Sequence, residues 1–392
     1  MSEYTSSADE IAANDDLLTE ILIRLPVKSL LRSKSVSKHW LSLITTTHFA
    51  RRRNPDHSSV SGLFLYSSGR RLHPELNLIP LQNDGNPTDG NYCTTFPLGM
   101  KILSSCHGLL CCTSFSHTGN HQFHILNPTT KQFTSFPRPH GELKGLSLIF
   151  DPCRSPHYKV VCVSGDVSVL SIKPYRSEWR YQIEIYSSET RTWRPSGEPF
   201  IGDLNSHFLG GVYWNGAIHW FNTWGDSMYF HVEDERLGIM PMPPIPEGEG
   251  SGRLFRYYGE SRSHLHLVEI YVATTQFRVY EMEGDYSGWF VKYHVDLHEV
   301  GIAFPEMMQR LLWDPMYYSF AILAIVREEE DDRSFMVLHV PGEIIRYNLV
   351  DKSFAKICDV APENCDSNGM IEDALRYFWF HAFQYIETVS CI

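Results

Sequence analysis

The sequence predicts an α+β protein with two domains: a small N-terminal domain of three helices, then an all-β, propeller-like domain for which six blades is the favoured count. Apolar residues recur at helical spacing within residues 13–53. From residue 61 the chain changes to short strand-like runs, and one hairpin pattern recurs at intervals of roughly 44 to 67 residues. We therefore expect an acidic disordered tail over residues 1–12, the helical domain over 13–53, a linker over 54–60 and the β domain over 61–392.

The first helix is predicted from its apolar face and its ends. The apolar positions repeat with a period of 3.6 at Leu17, Leu18, Ile21, Leu22 and Leu25. Asn14 is a suitable N-cap, and Asp15 and Asp16 place negative charge where the helix dipole favours it. Pro26 ends this helix after Arg24, because the residue before a proline avoids the α region, and it can also open the next helix at its first position.

Two further helical segments complete this domain. Leu30 and Leu31 lie on the inner side of the second segment, and Val36 and Trp40 begin the apolar stripe of the third. About forty residues are at the lower limit of what folds without disulfides, metals or a partner. The segment is therefore either a helical subdomain docked on the rest of the chain or a module whose apolar residues enter another protein.

This region resembles a known family. The run LPVKSLLRSKSVSKHW, preceded by DLLTEIL, is similar to the F-box of plant F-box proteins, which binds the Skp adaptor of cullin-RING ubiquitin ligases. The chain departs from that pattern at Ala13-Asn14, where such F-boxes usually carry an apolar residue and proline. The resemblance implies that the adaptor is bound by Leu17, Leu18, Ile21, Leu22, Leu25, Pro26, Leu30, Leu31, Val36 and Trp40.

Composition restricts the class of protein. With 392 residues, 43% of them hydrophobic, the chain can form a large core. Residues 1–16 lack the apolar run of a secretory signal, and the longest apolar stretch, residues 320–326, is far shorter than the roughly 20 residues that span a bilayer. Nine irregularly spaced cysteines are typical of reduced thiols. We expect a protein of the cytoplasm or nucleus with no membrane partner.

Charge is distributed unevenly along the chain. Residues 1–14 carry a net charge of −3, residues 15–53 carry +5 and the rest carries −14. An acidic large domain argues against nucleic-acid binding, which needs basic residues to neutralise phosphates. Arg51, Arg52 and Arg53 are interpreted as basic residues that follow a helix and suit its negative C-terminal end.

The blade prediction depends on the repeated hairpin. In ILNPTTKQF, IYSSETRTW, FHVEDERL and RYNLVDKSF a polar residue ends one strand and an aromatic residue or leucine stands six positions later; VYEMEGDYSGW is a looser copy. Five groups of strands fit between residues 100 and 360. A sixth blade would combine both ends of the chain, with Tyr385–Val389 pairing with strands from residues 61–81. Seven blades or a β-sandwich are the alternatives.

The β region also resembles a family. SSCHGLLCC, ILNPTTKQF, LIFDPCRSPHYKVVCV, IEIYSSETRTWR, GGVYWNGAIHW and YFHVEDERLG follow one another as in the F-box-associated domain that comes after the F-box in many plant proteins. The resemblance implies a propeller-like module that recruits a protein substrate, and it names no target.

No nucleophile elbow, phosphate-binding loop or H-E-x-x-H helix occurs. Cys111 and Cys112 would point to opposite faces of one strand, which favours core thiols over zinc ligands, and His264 and His266 would share one face of a strand. We expect no catalytic residue, no metal and no cofactor.

Aromatic residues are the best sequence signal for a ligand-binding surface. Tryptophans and tyrosines in or beside turns are exposed in some proteins, although most tryptophans in blades pack in the core. Two arginines in the same region suit an acidic substrate. The candidate substrate-binding residues are Trp214, Trp224, Arg253, Arg256, Tyr257 and Tyr258.

These observations together predict a receptor rather than an enzyme. The helices are expected to bind the Skp adaptor, and through it a cullin, while the propeller holds an unknown protein substrate for ubiquitination by other subunits of an SCF ligase. The alternatives are a propeller-fold enzyme such as a glycosidase, which needs convergent carboxylates in a deep pocket, and an F-box scaffold that acts outside a ligase.

Overall fold

The structure is a computed structural model of the chain. The residues that it describes are 11, 14–53, 60–66, 76–81, 100–114, 121–173, 176–203, 207–222, 227–244, 254–270, 274–311, 314–360, 375–390 and 392. The predicted tail over residues 1–12 and linker over 54–60 lie almost entirely outside these residues.

Residues 14–53 form a helical module of four helices, one more than predicted. They are α1 (Asp15–Leu22), α2 (Val27–Ser33), α3 (Lys38–Ile44) and α4 (Thr47–Arg53). Asn14 caps α1 as predicted, since its Oδ1 accepts the backbone N–H groups of Asp16 and Leu17, each at 3.1 Å. Pro26 is the N-cap of α2 rather than its first residue. Arg51, Arg52 and Arg53 form the last turn of α4 instead of following a helix.

The rest of the chain is a six-bladed propeller of small antiparallel sheets, as predicted. Its first strands in sequence are β1 (Gly62–Tyr66) and β2 (Leu76–Pro80). Blade 1 comprises β3 (Met100–Cys106), β4 (Leu109–Ser114), β5 (Phe123–Asn127) and β6 (Gln132–Phe136). Blade 2 comprises β7 (Glu142–Ile149), β8 (Lys159–Lys173), β9 (Arg176–Ser187) and β10 (Thr192–Asp203). Blade 3 comprises β11 (Val212–Trp214), β12 (Ala217–Trp220), β13 (Met228–His231) and β14 (Arg236–Ile239).

Blades 4 and 5 flank an insertion. Blade 4 comprises β15 (Leu254–Ser261), β16 (His264–Ile270), β17 (Gln276–Met282) and β18 (Trp289–Asp296). The insertion contains α5 (His298–Ala303), a 3₁₀ turn (Pro305–Met307) and the ribbon of β19 (Met308–Leu311) and β20 (Asp314–Tyr318). Blade 5 comprises β21 (Ala321–Val326), β22 (Phe335–Val340), β23 (Glu343–Asn348) and β24 (Phe354–Asp359), with a 3₁₀ turn (Asp331–Arg333) after β21.

The two ends of the chain form blade 6 together. After a 3₁₀ turn (Trp379–His381), β25 (Ala382–Tyr385) pairs antiparallel with β1, and β1 pairs with β2 on its other side. Gly62 lies opposite Tyr385. The predicted composite blade is confirmed, but its last strand ends at Tyr385 and does not extend to Val389. Contacts between neighbouring first strands run from β25 through β3, β7, β11, β15 and β21 back to β25, so the ring is closed.

The core of the propeller lies between blades. Six hydrophobic clusters each join residues of two adjacent blades, one cluster for each junction around the ring. Cys111 packs between blades 1 and 2, and the next residue, Cys112, packs between blades 6 and 1. This alternation confirms that the two thiols face opposite sides of one strand. Burial raises the pKa of the Cys112 thiol to about 12, which keeps it protonated and unreactive.

The repeated sequence pattern is the hairpin between the third and fourth strands of blades 1 to 5. In blade 1 the Asn127 side-chain oxygen accepts the N–H groups of Thr129 and Thr130, and Lys131 has a φ of +58°. In blade 5 Asn348 accepts from Val350 and Asp351, followed by Lys352 at +64°. A side chain that bonds its own turn, followed by one left-handed residue, reverses the chain and explains the fixed spacing.

Candidate adaptor-binding surface and propeller channel

The helical module has a small core of its own. Leu18 and Leu22 of α1, Leu30 of α2, Ile44 of α3 and Phe49 of α4 are all buried. One residue from the far end of the chain, Val389, is buried in the same cluster. The core of the module is therefore completed by the segment that follows the last strand of the propeller.

Apolar side chains also remain exposed on the module. We call the set Leu17, Ile21, Val36 and Leu41 the helical apolar surface. Their exposed fractions are 49%, 47%, 61% and 39%, respectively. The His39 imidazole lies 3.0 Å from the Asp15 carboxylate, so the first turns of α1 and α3 are neighbours. Exposed leucine and isoleucine four residues apart on one helix indicate a surface that another protein covers.

The module is attached to the propeller by its own side chains and by the C-terminal segment (residues 386–390). Asn127 of blade 1 donates to the backbone oxygens of Thr388 at 3.2 Å and of Ser390 at 2.8 Å, and Lys34 of the module donates to that of Val389. Arg51 of α4 donates to the oxygen of Cys153 at 2.6 Å, in the turn after β7. The module therefore lies on the face of the propeller where the first strands of the blades end.

A cavity of about 130 Å³ lies inside the ring. Its walls are built by first strands of the blades, namely β3, β11, β15, β21 and β25, together with the 3₁₀ turn before β25. Close packing of the strands depends on glycine at one wall: a Cβ on Gly211 would lie 2.3 Å from the Ser147 hydroxyl oxygen. Glu260 is the one carboxylate among the lining residues that the structure describes, and these include no lysine or arginine.

Comparison with known proteins assigns the helical module and the propeller to known families. The F-box domain family matches residues 14–52, and the family described as the F-box associated beta propeller domain matches residues 63–269. F-box protein At5g07610 of Arabidopsis thaliana is 35% identical, and the alignment covers 98% of this chain and 94% of that protein. The chain belongs to the F-box protein family.

Two further matches have lower identity. Putative F-box protein At1g47790 of Arabidopsis thaliana is 28% identical over 58% of each chain. Among solved structures, one described as a nidogen/laminin complex covers 76% of this chain and 93% of its own, with a TM-score of 0.37 and 10% identity. The pair of an F-box and its associated propeller supports the general role of substrate receptor in an SCF ligase, in which F-boxes bind the Skp adaptor.

The structure separates the ten residues predicted to bind the adaptor into three groups. Leu17, Ile21, Pro26 and Val36 are exposed on the F-box. Leu25, Leu31 and Trp40 are half-buried against its core. Leu18, Leu22 and Leu30 are 2%, 0% and 0% exposed, so in this state they hold the F-box together instead of facing a partner. Leu41 of α3, which the prediction did not include, is also exposed.

Of the predicted substrate-binding residues that the structure describes, three are buried and one is half-buried. Trp214 packs between blades 3 and 4, where its indole nitrogen donates to the Ser263 oxygen at 2.7 Å. Tyr257 and Tyr258 are 4% and 3% exposed, and both contribute to the cavity wall. Arg256 is half-buried, with its guanidinium 5.5 Å from the centre of the Phe320 ring. Trp224 and Arg253 lie outside the described residues.

Sequence reasoning missed an aromatic cluster at the cavity. Phe378 and Phe380 stack with their ring centres 5.7 Å apart, and the Phe380 ring lies 4.3 Å from that of His381. Phe380 is 54% exposed although it also lines the cavity with Trp379. The run FWFH that begins at Phe378 carries this signal, but in sequence it cannot be distinguished from a buried strand.

A charged cluster lies between blades 4 and 5, away from the cavity wall. The Glu281 carboxylate is 2.6 Å from His264 Nδ1 and 2.8 Å from a guanidinium nitrogen of Arg327, and Arg327 also bonds Asp331 at 2.8 Å. Burial alone would raise the pKa of Glu281, but its hydrogen bonds to His264 and His266 outweigh that effect and lower it. His264 and His266 share one face of β16, as predicted. The charges of this cluster are paired with one another, and His266 Nε2 lies 3.6 Å from the Glu281 carboxylate.

The described residues contain no group of three or more histidine, cysteine, aspartate or glutamate side chains placed to hold a metal ion. Within the same residues, no helix is long and apolar enough to cross a membrane.

Proposed function

We infer that this chain is a non-catalytic substrate receptor of an SCF ubiquitin ligase. Its F-box binds the Skp adaptor, and through it a cullin, while its propeller recruits a protein substrate for ubiquitination by the other subunits. F-box proteins are typically adaptors without catalysis of their own. We place the receptor in the cytoplasm or nucleus.

The observation that carries this inference is the helical apolar surface on a module that already has a core. Leu18, Leu22 and Leu30 are buried in the core of the F-box, whereas Leu17, Ile21 and Val36 lie outside that core and are exposed. Exposed apolar side chains on a small helical module are best explained by a partner that covers them. The adaptor is the partner that the F-box family binds.

Substitution of the helical apolar surface should weaken adaptor binding without unfolding the protein. Ile21→Ala and Val36→Ala each remove an exposed contact, and truncation of an interface hot spot costs about 2 kcal/mol or more, roughly a thirtyfold loss of affinity. The measurement is the dissociation constant for the purified adaptor, with the melting temperature of each variant determined in parallel.

Two matched substitutions on the propeller are the controls. Ile302→Ala in α5 and Val350→Ala in a blade 5 turn truncate side chains that are 60% and 50% exposed, and they should leave adaptor affinity unchanged. Leu30→Ala is a different kind of change, because its side chain is fully buried and its loss destabilises the fold by about 2–5 kcal/mol. Parental affinity in both Ile21→Ala and Val36→Ala would contradict the proposed adaptor surface.

A further inference from the structure

The cavity inside the propeller contains the carboxylate of Glu260, and the His264 imidazole that acts on it electrostatically is itself paired with Glu281. Glu260 Oε1 accepts the backbone N–H of Ser263 at 2.6 Å. The described lining residues include no lysine or arginine, and no ion pair joins Glu260 to a basic side chain among the described residues. Burial raises the pKa of Glu260 to about 7, so its charged form is poorly stabilised as the cavity stands. A ligand that brings a positive charge would supply the missing partner.

Aromatic rings line the same cavity. Trp379 and Phe380 contribute to its wall, and Phe380 remains 54% exposed. A cation or an alkyl chain is stabilised over an aromatic face, by cation–π attraction in the first case and by removal of apolar surface from water in the second. The wall therefore suits a group that has an aliphatic stem and a charged end.

The size of the cavity limits what it can hold. An engineered cavity of about 150 Å³ in another protein holds one benzene molecule, which has six heavy atoms. The volume here is about 130 Å³, so it holds a group of similar size and not a whole cofactor. The four outer heavy atoms of a lysine side chain, three methylene carbons and the ammonium nitrogen, fit within this limit.

The direction of entry follows from the order of strands. Because a complete blade has four antiparallel strands, every first strand starts at the same face of the ring and ends at the other. Trp379 and Phe380 come immediately before β25 and so lie at the starting face, opposite the F-box. Glu260 is the second-last residue of β15 and lies deeper, towards the F-box. A side chain that enters from the starting face passes the aromatic rings before it reaches the carboxylate.

We propose that this cavity binds a lysine side chain from an extended segment of the protein substrate, with the ammonium group at Glu260 and the methylene chain against Trp379 and Phe380. The proposal rests on the proposed function, because it names the group that the receptor recognises on its substrate.

The test uses the full-length protein and short blocked peptides. A Gly-Gly-Lys-Gly-Gly peptide with both ends blocked should bind at concentrations on the order of 1 mM, as measured by ligand-observed NMR. The same peptide with norleucine in place of lysine keeps the aliphatic chain but lacks the charge, and it should bind at least tenfold more weakly. Glu260→Gln should weaken lysine-peptide binding by a similar factor, and Phe380→Ala should weaken it severalfold.

Glu283→Gln is the control, since Glu283 is an exposed acid of the same blade, and it should bind the peptide like the parent. Three results would each overturn the proposal. The lysine and norleucine peptides bind equally well, a folded Glu260→Gln variant binds the lysine peptide like the parent, or butylamine binds while the lysine peptide does not. Adaptor affinity is measured on the same samples. Failure of peptide binding with adaptor binding intact refutes the lysine site alone, whereas failure of the parent to bind the adaptor refutes the proposed function.

Discussion

The ionised Glu260 side chain lowers the free energy of unfolding by an amount that depends on pH. Its pKa of about 7 in the folded protein exceeds the ordinary value of 4.5, mainly because of burial, although the Ser263 N–H and the nearby His264 act in the opposite direction. Between these two values the folded state holds a proton that the unfolded state has released. Folding stability therefore falls as pH rises from 4.5 to 7, and the loss is complete above pH 7.

Replacing Glu260 with glutamine should remove this cost. We expect Glu260→Gln to raise the free energy of unfolding at pH 8, by up to about 3 kcal/mol, and to have little effect at pH 4.5. Thermal unfolding of the variant and parent at both pH values measures the difference, with Glu283→Gln as the control. An equal change at both pH values would show that the effect is steric and not electrostatic.

Individual residues also show where sequence reasoning reaches its limit. Helical spacing identifies apolar positions in α1, but Leu17 and Leu18 are adjacent and both apolar, so the pattern cannot tell which faces the core. The same limit applies to Trp214, because its exposure depends on the neighbouring blade and not on its own turn. Glu260 could not be singled out, since one acid in RYYGES is unremarkable until the ring places it in a cavity.

Among the structural elements, the hairpins were the most predictable. All five copies of the repeated pattern join the third and fourth strands of a blade, because the turn chemistry is local and needs no knowledge of the fold. Helix α4 was not predicted for the opposite reason. Phe49 is its only buried residue, so it has no apolar repeat to detect. Its position depends on tertiary contacts, including Arg53, whose guanidinium donates to the backbone oxygens of Ile23 and Leu25 at 3.1 and 2.9 Å.

The C-terminal segment should stabilise the F-box specifically. Val389→Ala removes two methyl groups from the core of the module, at a cost of about 1–2 kcal/mol. Hydrogen exchange of the backbone amides in α1 and α3 should become faster, while exchange in blade 4 stays unchanged. Val350→Ala is the matched control. If exchange in α1 and α3 is unaffected, the F-box is independent of this segment and an isolated fragment of residues 1–60 should fold as well as it does in the full chain.

For the whole molecule, closure of the ring depends on β25. Two truncations separate its contribution from that of the tail beyond it. Ending the chain after Ile386 keeps β25 and should mainly loosen the F-box. Ending it after His381 also removes the pairing with β1 and the half-buried Phe383 and Tyr385, and should destabilise the propeller by about a further 3 kcal/mol or more. The melting temperatures of the two truncated proteins measure the difference. Equal melting temperatures would mean that the ring does not need this closure.

The number of blades was predictable because each complete blade carries one copy of the same hairpin pattern. The counts of hairpins and of strand groups predicted five blades, and the unassigned runs at residues 61–67 and 378–392 favoured a sixth over the alternatives of seven blades or a β-sandwich; the structure pairs strands from both runs in one blade. What the sequence could not supply is the arrangement of the F-box on that ring, because it depends on a few hydrogen bonds such as those of Asn127.

The position of the C-terminal segment bears on how the receptor matures during synthesis. Residues 382–390 leave the ribosome after every other element described here, yet they close the propeller and supply Val389 to the F-box. The F-box helices leave the ribosome more than three hundred residues before Val389, so the F-box core of the nascent chain lacks this side chain until the end of synthesis. Chains that terminate before this segment therefore lack both the Val389 side chain of the F-box core and the strand that closes the ring.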